Sequence, residues 1–198
     1  NNLKGKYLYV PTGQRVEKKG LVYKNAGVHI RTDVTRYMKD DGGTVHSIYE
    51  RSIDQLDNTQ TTSFSQTEIP IYATGRIGVA YKQTSTYLYK YELTDHLGNV
   101  RAVIGREEVS QSIEVYSYTD YYPFGWEMPG RQATSGEKYR YGYQGQFAEV
   151  DEDAGWVSFE LRNYDARMAR WTSIDPAEQF HSPYVAMGNN PVNMIDPD

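Results

Sequence analysis

The sequence contains no cysteine. That excludes a disulfide framework and any zinc site built on Cys ligands. No run of about 18 apolar residues occurs, so no segment reads as a membrane-spanning helix. Basic clusters are missing too. Twenty-one Lys and Arg face 26 Asp and Glu, for a net charge of −5 and a pI near 5.4. A nucleic-acid partner held through phosphates is therefore not expected. His29, His46, His96 and His181 show no metal-ligand spacing such as HExxH, and no cofactor motif stands out. Helix signals are few. "EEVSQSIEV" (Glu107 to Val115) alternates too regularly for a helix. One short helix is expected around Ala177 to Phe180, with Asp175 as cap and Pro176 at its first position.

What is present is tyrosine. Nineteen Tyr and 17 Gly accompany a mean hydropathy of −0.73. A chain both polar and aromatic suits strands with one wet face better than a thick helical core. The glycines punctuate a loose repeat. "YVPTGQRV" (from Tyr9), "YMKDDGGTVHSIYE" (from Tyr37), "YELTDHLGNVRAVIG" (from Tyr91) and "YTDYYPFG" (from Tyr118) each read as strand, tight turn, strand. Turns are expected at Gly13, Gly43, Gly98 and Gly125, where Gly supplies a positive φ. The period is irregular, which argues against a solenoid. Single hairpins are marginal in water, so these must pair laterally into a large sheet. "SIDQLDNTQTTSFSQTE" (Ser52 to Glu68) reads as a long polar loop or a partly ordered insertion. The chain starts at Asn1 without Met or a leader-like segment, and so reads as a piece of a longer one.

An ordered set of motifs then becomes specific. "DHLGNVR" (Asp95 to Arg101) is followed by "YYPFGWEMPG", then "GWVSFELRNYDARMARW" (Gly155 to Trp171), "SIDP" and "GNNPVNMIDPD" (Gly188 to Asp198). Together these resemble the Rhs-repeat-associated core of bacterial Rhs and YD-repeat polymorphic toxin proteins, which are related to Tc toxin C subunits. The resemblance implies a mostly β fold, a winding ribbon of YD-repeat hairpins forming part of a hollow shell. Residues 1–125 would be the repeat region and 126–198 the core segment. The implied partners are the remaining shell repeats of the same protein, an enclosed C-terminal toxin segment and a secretion or injection machine. The implied location is secreted, delivered or on the cell surface. In many such proteins the core cuts its own chain after a DPxG-type motif, a point that here would fall beyond Asp198.

By the same resemblance, the residues that would cut are Asp175 of "SIDP", Asp196 of the terminal "IDPD" and Arg162 of "LRNYDARMARW". Two carboxylates held close do not both stay ionised, so one acts as base and the other as acid. Arg162 is expected to fix one of them through a bidentate pair. Each residue also has a structural reading. Asp-Pro is a common turn and helix-start device, and a buried Arg is often a core ion pair. His96 reads as a packing or hydrogen-bonding residue, and "DEDAG" (Asp151 to Gly155) as a hairpin turn without the calcium-loop pattern. Trp126, Trp156 and Trp171 read as sheet anchors, with a sugar platform as the rival. Two other functions remain open at this level: a structural or adhesive module without cleavage, and a carbohydrate-processing enzyme using paired acids.

Overall fold

The computed structural model describes residues 3–11, 14–24, 28–54, 63–107, 111–136, 138–145, 149–151, 155–159 and 162–196. The chain is mostly β. Ten antiparallel strands follow one another in sequence order: β1 (Leu3–Tyr9), β2 (Arg15–Lys24), β3 (Val28–Lys39), β4 (Val45–Asp54), β5 (Ser65–Tyr72), β6 (Arg76–Lys82), β7 (Tyr87–Thr94), β8 (Val100–Arg106), β9 (Ile113–Tyr121) and β10 (Glu127–Thr134). A separate four-stranded sheet holds β11 (Glu149–Asp151), β12 (Trp156–Ser158), β13 (Asn163–Asp165) and β14 (Arg170–Trp171). The chain divides into two compact units, Asn1–Tyr89 and Lys90–Asp198.

The repeat lives in the turns. In the β3–β4 hairpin, Gly43 N–H donates to Asp40 C=O at 3.0 Å and Asp40 N–H donates to Thr44 C=O at 3.1 Å. Asp95, Gly98 and Asn99 repeat that pair of bonds between β7 and β8, and Tyr122, Gly125 and Trp126 repeat it between β9 and β10. Gly43, Gly98 and Gly125 have φ of 87°, 79° and 82°. This is the three-residue hairpin loop with a left-handed residue at its end, and Gly adopts it without a Cβ clash. Val10 N–H donates to Gln14 C=O in the same position between β1 and β2, while Gly13 itself lies outside the described residues.

Two sequence expectations need correction. The stretch from Ser52 to Glu68 is not one long loop. Strand β4 runs on to Asp54 and β5 begins at Ser65, with residues 55–62 outside the described set. The polar side chains satisfy one another across the sheet: Gln66 Nε2 donates to Ser47 Oγ at 2.8 Å. Polar composition suggested loop, yet the pairing absorbs it. Nor does a helix form at Ala177 to Phe180. Asp175 Oδ1 accepts the Ala177 N–H at 2.9 Å, but Glu178 takes φ 50° and ends the turn at once.

In the first unit the buried residues include Val34, Tyr37, Ile48 and Val79. The second unit has an aromatic core of Tyr143, Phe159, Tyr164 and Trp171 with Ala166, Ala186 and Met187. Phe159 meets Trp171 edge-on at 5.3 Å, and Tyr143 stacks on Tyr164 at 6.4 Å. Both buried phenols reach the β9–β10 turn. Tyr143 donates to Pro123 C=O at 2.8 Å and Tyr164 to Phe124 C=O at 2.9 Å. Burial drives the Tyr164 hydroxyl well above its ordinary range and pushes Tyr143 up to about 12, so both remain donors.

Candidate functional site

Arg162 lies just before β13, where its C=O accepts the Phe159 N–H at 3.0 Å. Asp175 follows β14, held by its N–H to Pro183 C=O at 2.9 Å. Asp196 follows a turn in which Met194 N–H donates to Asn190 C=O at 3.0 Å. These three segments bring all three side chains together. Arg162 NH1 stands 3.2 Å from Asp175 Oδ1, and NH2 stands 3.0 Å from Asp196 Oδ1. All three residues are 4 to 5% exposed, so the ion pairs are nearly dry. Arg162 does not fork one carboxylate. It gives one nitrogen to each, and so bridges the aspartates of both Asp-Pro motifs.

Trp171 completes the arrangement. The Arg162 guanidinium lies 4.0 Å from the centre of the indole ring, and the indole N–H donates to Asp196 Oδ2 at 3.1 Å. Met187 N–H approaches the same oxygen at 3.5 Å. Asp196 is therefore held through both oxygens. The Asp175 carboxyl is held through Oδ1, by Arg162 and by the Ala177 N–H. One guanidinium thus faces two carboxyl groups. Arrangements of this kind can orient a carboxylate as a base beside a fixed, neutralised partner.

Two supporting residues escaped the sequence reading. Gln144 Oε1 accepts the Asp196 N–H at 3.1 Å, and Asn99 Oδ1 accepts the Gln144 N–H at 2.7 Å. Asn99 was visible only as part of the "DHLGNVR" turn. Gln144 carried no signal, because 52 positions separate it from Asp196. His96 Nε2 pairs with Val192 C=O at 3.0 Å, a hydrogen-bonding role. Trp171 is core, while Trp126 and Trp156 are 41% and 36% exposed. The His29 side chain and most of "DEDAG" lie outside the described residues.

No family model matches the chain. Over its full length it superposes on TcdB2-TccC3 with a TM-score of 0.72 and 19% identity, covering 9% of that chain. The fold is shared with TcdB2-TccC3. The same complex without its hypervariable C-terminal region gives 0.74 at 20% identity, as does the Tc holotoxin pore of Photorhabdus luminescens; each is covered to 9%. Among curated proteins, salivary gland surface protein 1 of Aedes aegypti is 32% identical over 166 residues, which is 83% of this chain and 4% of that protein. The chain thus spans less than a tenth of the length of each of these relatives. At such identities the likeness to TcdB2-TccC3 fixes the fold, an Rhs/Tc-type β architecture.

Proposed function

We propose that this chain is the C-terminal part of a bacterial Rhs/YD-repeat shell, and that Arg162, Asp175 and Asp196 form an intramolecular aspartyl site. Residues 1–125 contribute repeat hairpins and 126–198 the core segment. The site cuts downstream of Asp196 and frees a C-terminal toxin segment that the shell encloses. One observation carries this reading: a single buried guanidinium joins the carboxylates of the two Asp-Pro motifs. A turn device would need neither burial nor a shared arginine. The fold shared with TcdB2-TccC3, a complex whose C-terminal region is called hypervariable, supports it.

In this mechanism Asp196 is the anchored partner and Asp175 the base. Asp175 Oδ2 takes a proton from water as the water oxygen attacks the scissile carbonyl. The departing amine recovers that proton as the C–N bond breaks. The substrate belongs to the same chain, so its effective molarity is high and one slow cut is enough. Dry surroundings strengthen the hold of Arg162 on both carboxylates.

The test is Asp175→Asn in the full-length protein with its downstream segment. Asn caps a turn about as well as Asp but takes no proton. The expected gel shows an uncut chain beside a cut wild type, with equal β content by circular dichroism. A folded Asn variant that is fully cut removes Asp175 from the mechanism.

A second reading also has support. The Aedes relative is a surface protein by name, which favours a structural or adhesive module that does not cut. On that reading, a wild-type chain with all three side chains in place stays whole.

A further inference from the structure

One kind of tight turn closes three hairpins of the sheet. Asp40, Asp95 and Tyr122 each open it, and Gly43, Gly98 and Gly125 each take its left-handed position. The residue after the opening one is Asp41 in the first hairpin, His96 in the second and Pro123 in the third. The turn forms with any of them, so its closure does not require His96. The closing residue varies as freely, being Thr44, Asn99 or Trp126. Between β7 and β8 both variable positions are turned toward distant parts of the chain. His96 Nε2 lies 3.0 Å from the main-chain oxygen of Val192. A carbonyl only accepts, so Nε2 carries the hydrogen. Asn99 is buried, and its Oδ1 accepts the Gln144 N–H at 2.7 Å. Gln144 Oε1 in turn accepts the Asp196 N–H at 3.1 Å. The turn is well braced for such contacts. Asp95 Oδ1 accepts the N–H groups of Leu97 and Asn99 at 3.0 and 3.1 Å, and Oδ2 accepts from Asn99 Nδ2 at 2.8 Å.

We propose that the β7–β8 turn is the dock on which residues 190–196 are seated, and that His96 is the positioning residue that holds them. Val192 lies inside a closed turn of its own, where Asn193 and Met194 both donate their N–H groups to Asn190 C=O. A hold on Val192 therefore steers the whole turn and, through it, the Asp196 carboxyl toward Arg162. The contact is to main chain, so it places no demand on the side chain at position 192. The aspartyl site thus reaches into the hairpin region, to a residue 96 positions before Val192. The effect on cutting rests on the cleavage reading above; the seating of residues 190–196 does not.

The experiment uses the full-length protein with its downstream segment. His96→Leu keeps bulk and loses the donor. His96→Gln keeps an N–H at similar reach. The bond is exposed, and one such bond is worth a factor of about two to ten in an opening equilibrium. Hydrogen exchange of residues 190–196 is expected to rise by that factor in His96→Leu and to stay near wild type in His96→Gln. Exchange of residues 95–106 is expected to stay unchanged in both, because the turn closes without His96. Unchanged exchange of residues 190–196 in His96→Leu overturns the dock. An equal rise in the two variants, or a rise that includes residues 95–106, overturns it as well.

Timed denaturing gels of the same chains, made in a cell-free system, read the role in cutting. A loosely seated carboxylate spends less time in the productive geometry. His96→Leu is therefore expected to be cut at least about twofold more slowly than wild type, with most of that rate recovered in His96→Gln. Wild-type cutting by His96→Leu removes its positioning role. Asp175→Asn, run alongside, separates the two ideas. If that variant is cut, the cleavage reading fails, and the exchange result alone then decides whether His96 holds the segment.

Discussion

Gly125 should tolerate no side chain, and the cost can be worked out. An added Cβ would stand 2.6 Å from Cδ1 and Cγ of Tyr143 and 2.8 Å from Cδ2. Carbon atoms prefer about 3.5–4.0 Å, so the ring must move by roughly 1 Å. It has nowhere to go. Its hydroxyl is tied to Pro123, its face to Tyr164, and Tyr121 lies 5.9 Å away. Overpacking of this sort costs about 1–3 kcal/mol. The φ of 82° adds about 1–2 kcal/mol for an L residue. Gly130→Ala is the control. Its φ is 72°, but nothing lies within 4 Å of the added Cβ, so only the backbone cost applies. The clash alone then separates the variants by about 1–3 kcal/mol, or roughly 5- to 150-fold in the local opening equilibrium. Hydrogen exchange of a peptide spanning Tyr143 and Gln144 reads this directly. Equal exchange in the two alanine variants would refute the packing argument.

Two further outcomes are expected. Arg167 donates to Asp165 through Nε and NH2 and holds that carboxyl below its ordinary value of 3.8, against the opposing effect of burial. A depressed carboxylate lends stability that is complete above 3.8 and lost as pH falls through the lower folded value. Unfolding measured from pH 2 to 6 should therefore show a shallower acid decline in Asp165→Asn, and identical slopes would count against the pairing. In the second unit, Tyr91, Leu93, Ile113, Val115 and Tyr118 are exposed apolar residues on paired strands β7 to β9. The 198-residue chain by itself should self-associate through them, and Val115→Lys with Tyr118→Lys should reduce this in sedimentation; a monomeric parent chain would contradict it.

The hairpin turns were legible because one residue decides each of them. Gly43, Gly98 and Gly125 sit where φ must be positive, and the flanking Tyr-rich runs have strand character. The β5 region was misread because its Ser, Thr and Gln look like loop until a partner strand supplies their hydrogen bonds. The helix beyond Asp175 was misread because cap and proline were right while Glu178 turned left-handed. At the site, motif order pointed to Arg162, Asp175 and Asp196. It did not reveal that one guanidinium spans both carboxylates, a fact of three segments meeting. Trp171 read as an anchor and is one, yet its indole also faces Arg162 and Asp196. Gln144 depends on a contact across 52 positions, and no local pattern encodes that.

The sequence-order pairing of β1 to β10 sets a schedule during synthesis. Each strand meets a partner made just before it. Hairpins close in about 1–10 μs, while a ribosome adds roughly 5–20 residues per second. The sheet therefore keeps pace with translation. The trio does not. Asp196 is made 34 residues after Arg162, a delay of roughly 2–7 s at those rates. By then every strand has had time to form. A nascent chain halted before Asp196 would hold a finished ten-stranded sheet and an incomplete trio, so the last of the three residues to be made acts as the timer for whatever they do together.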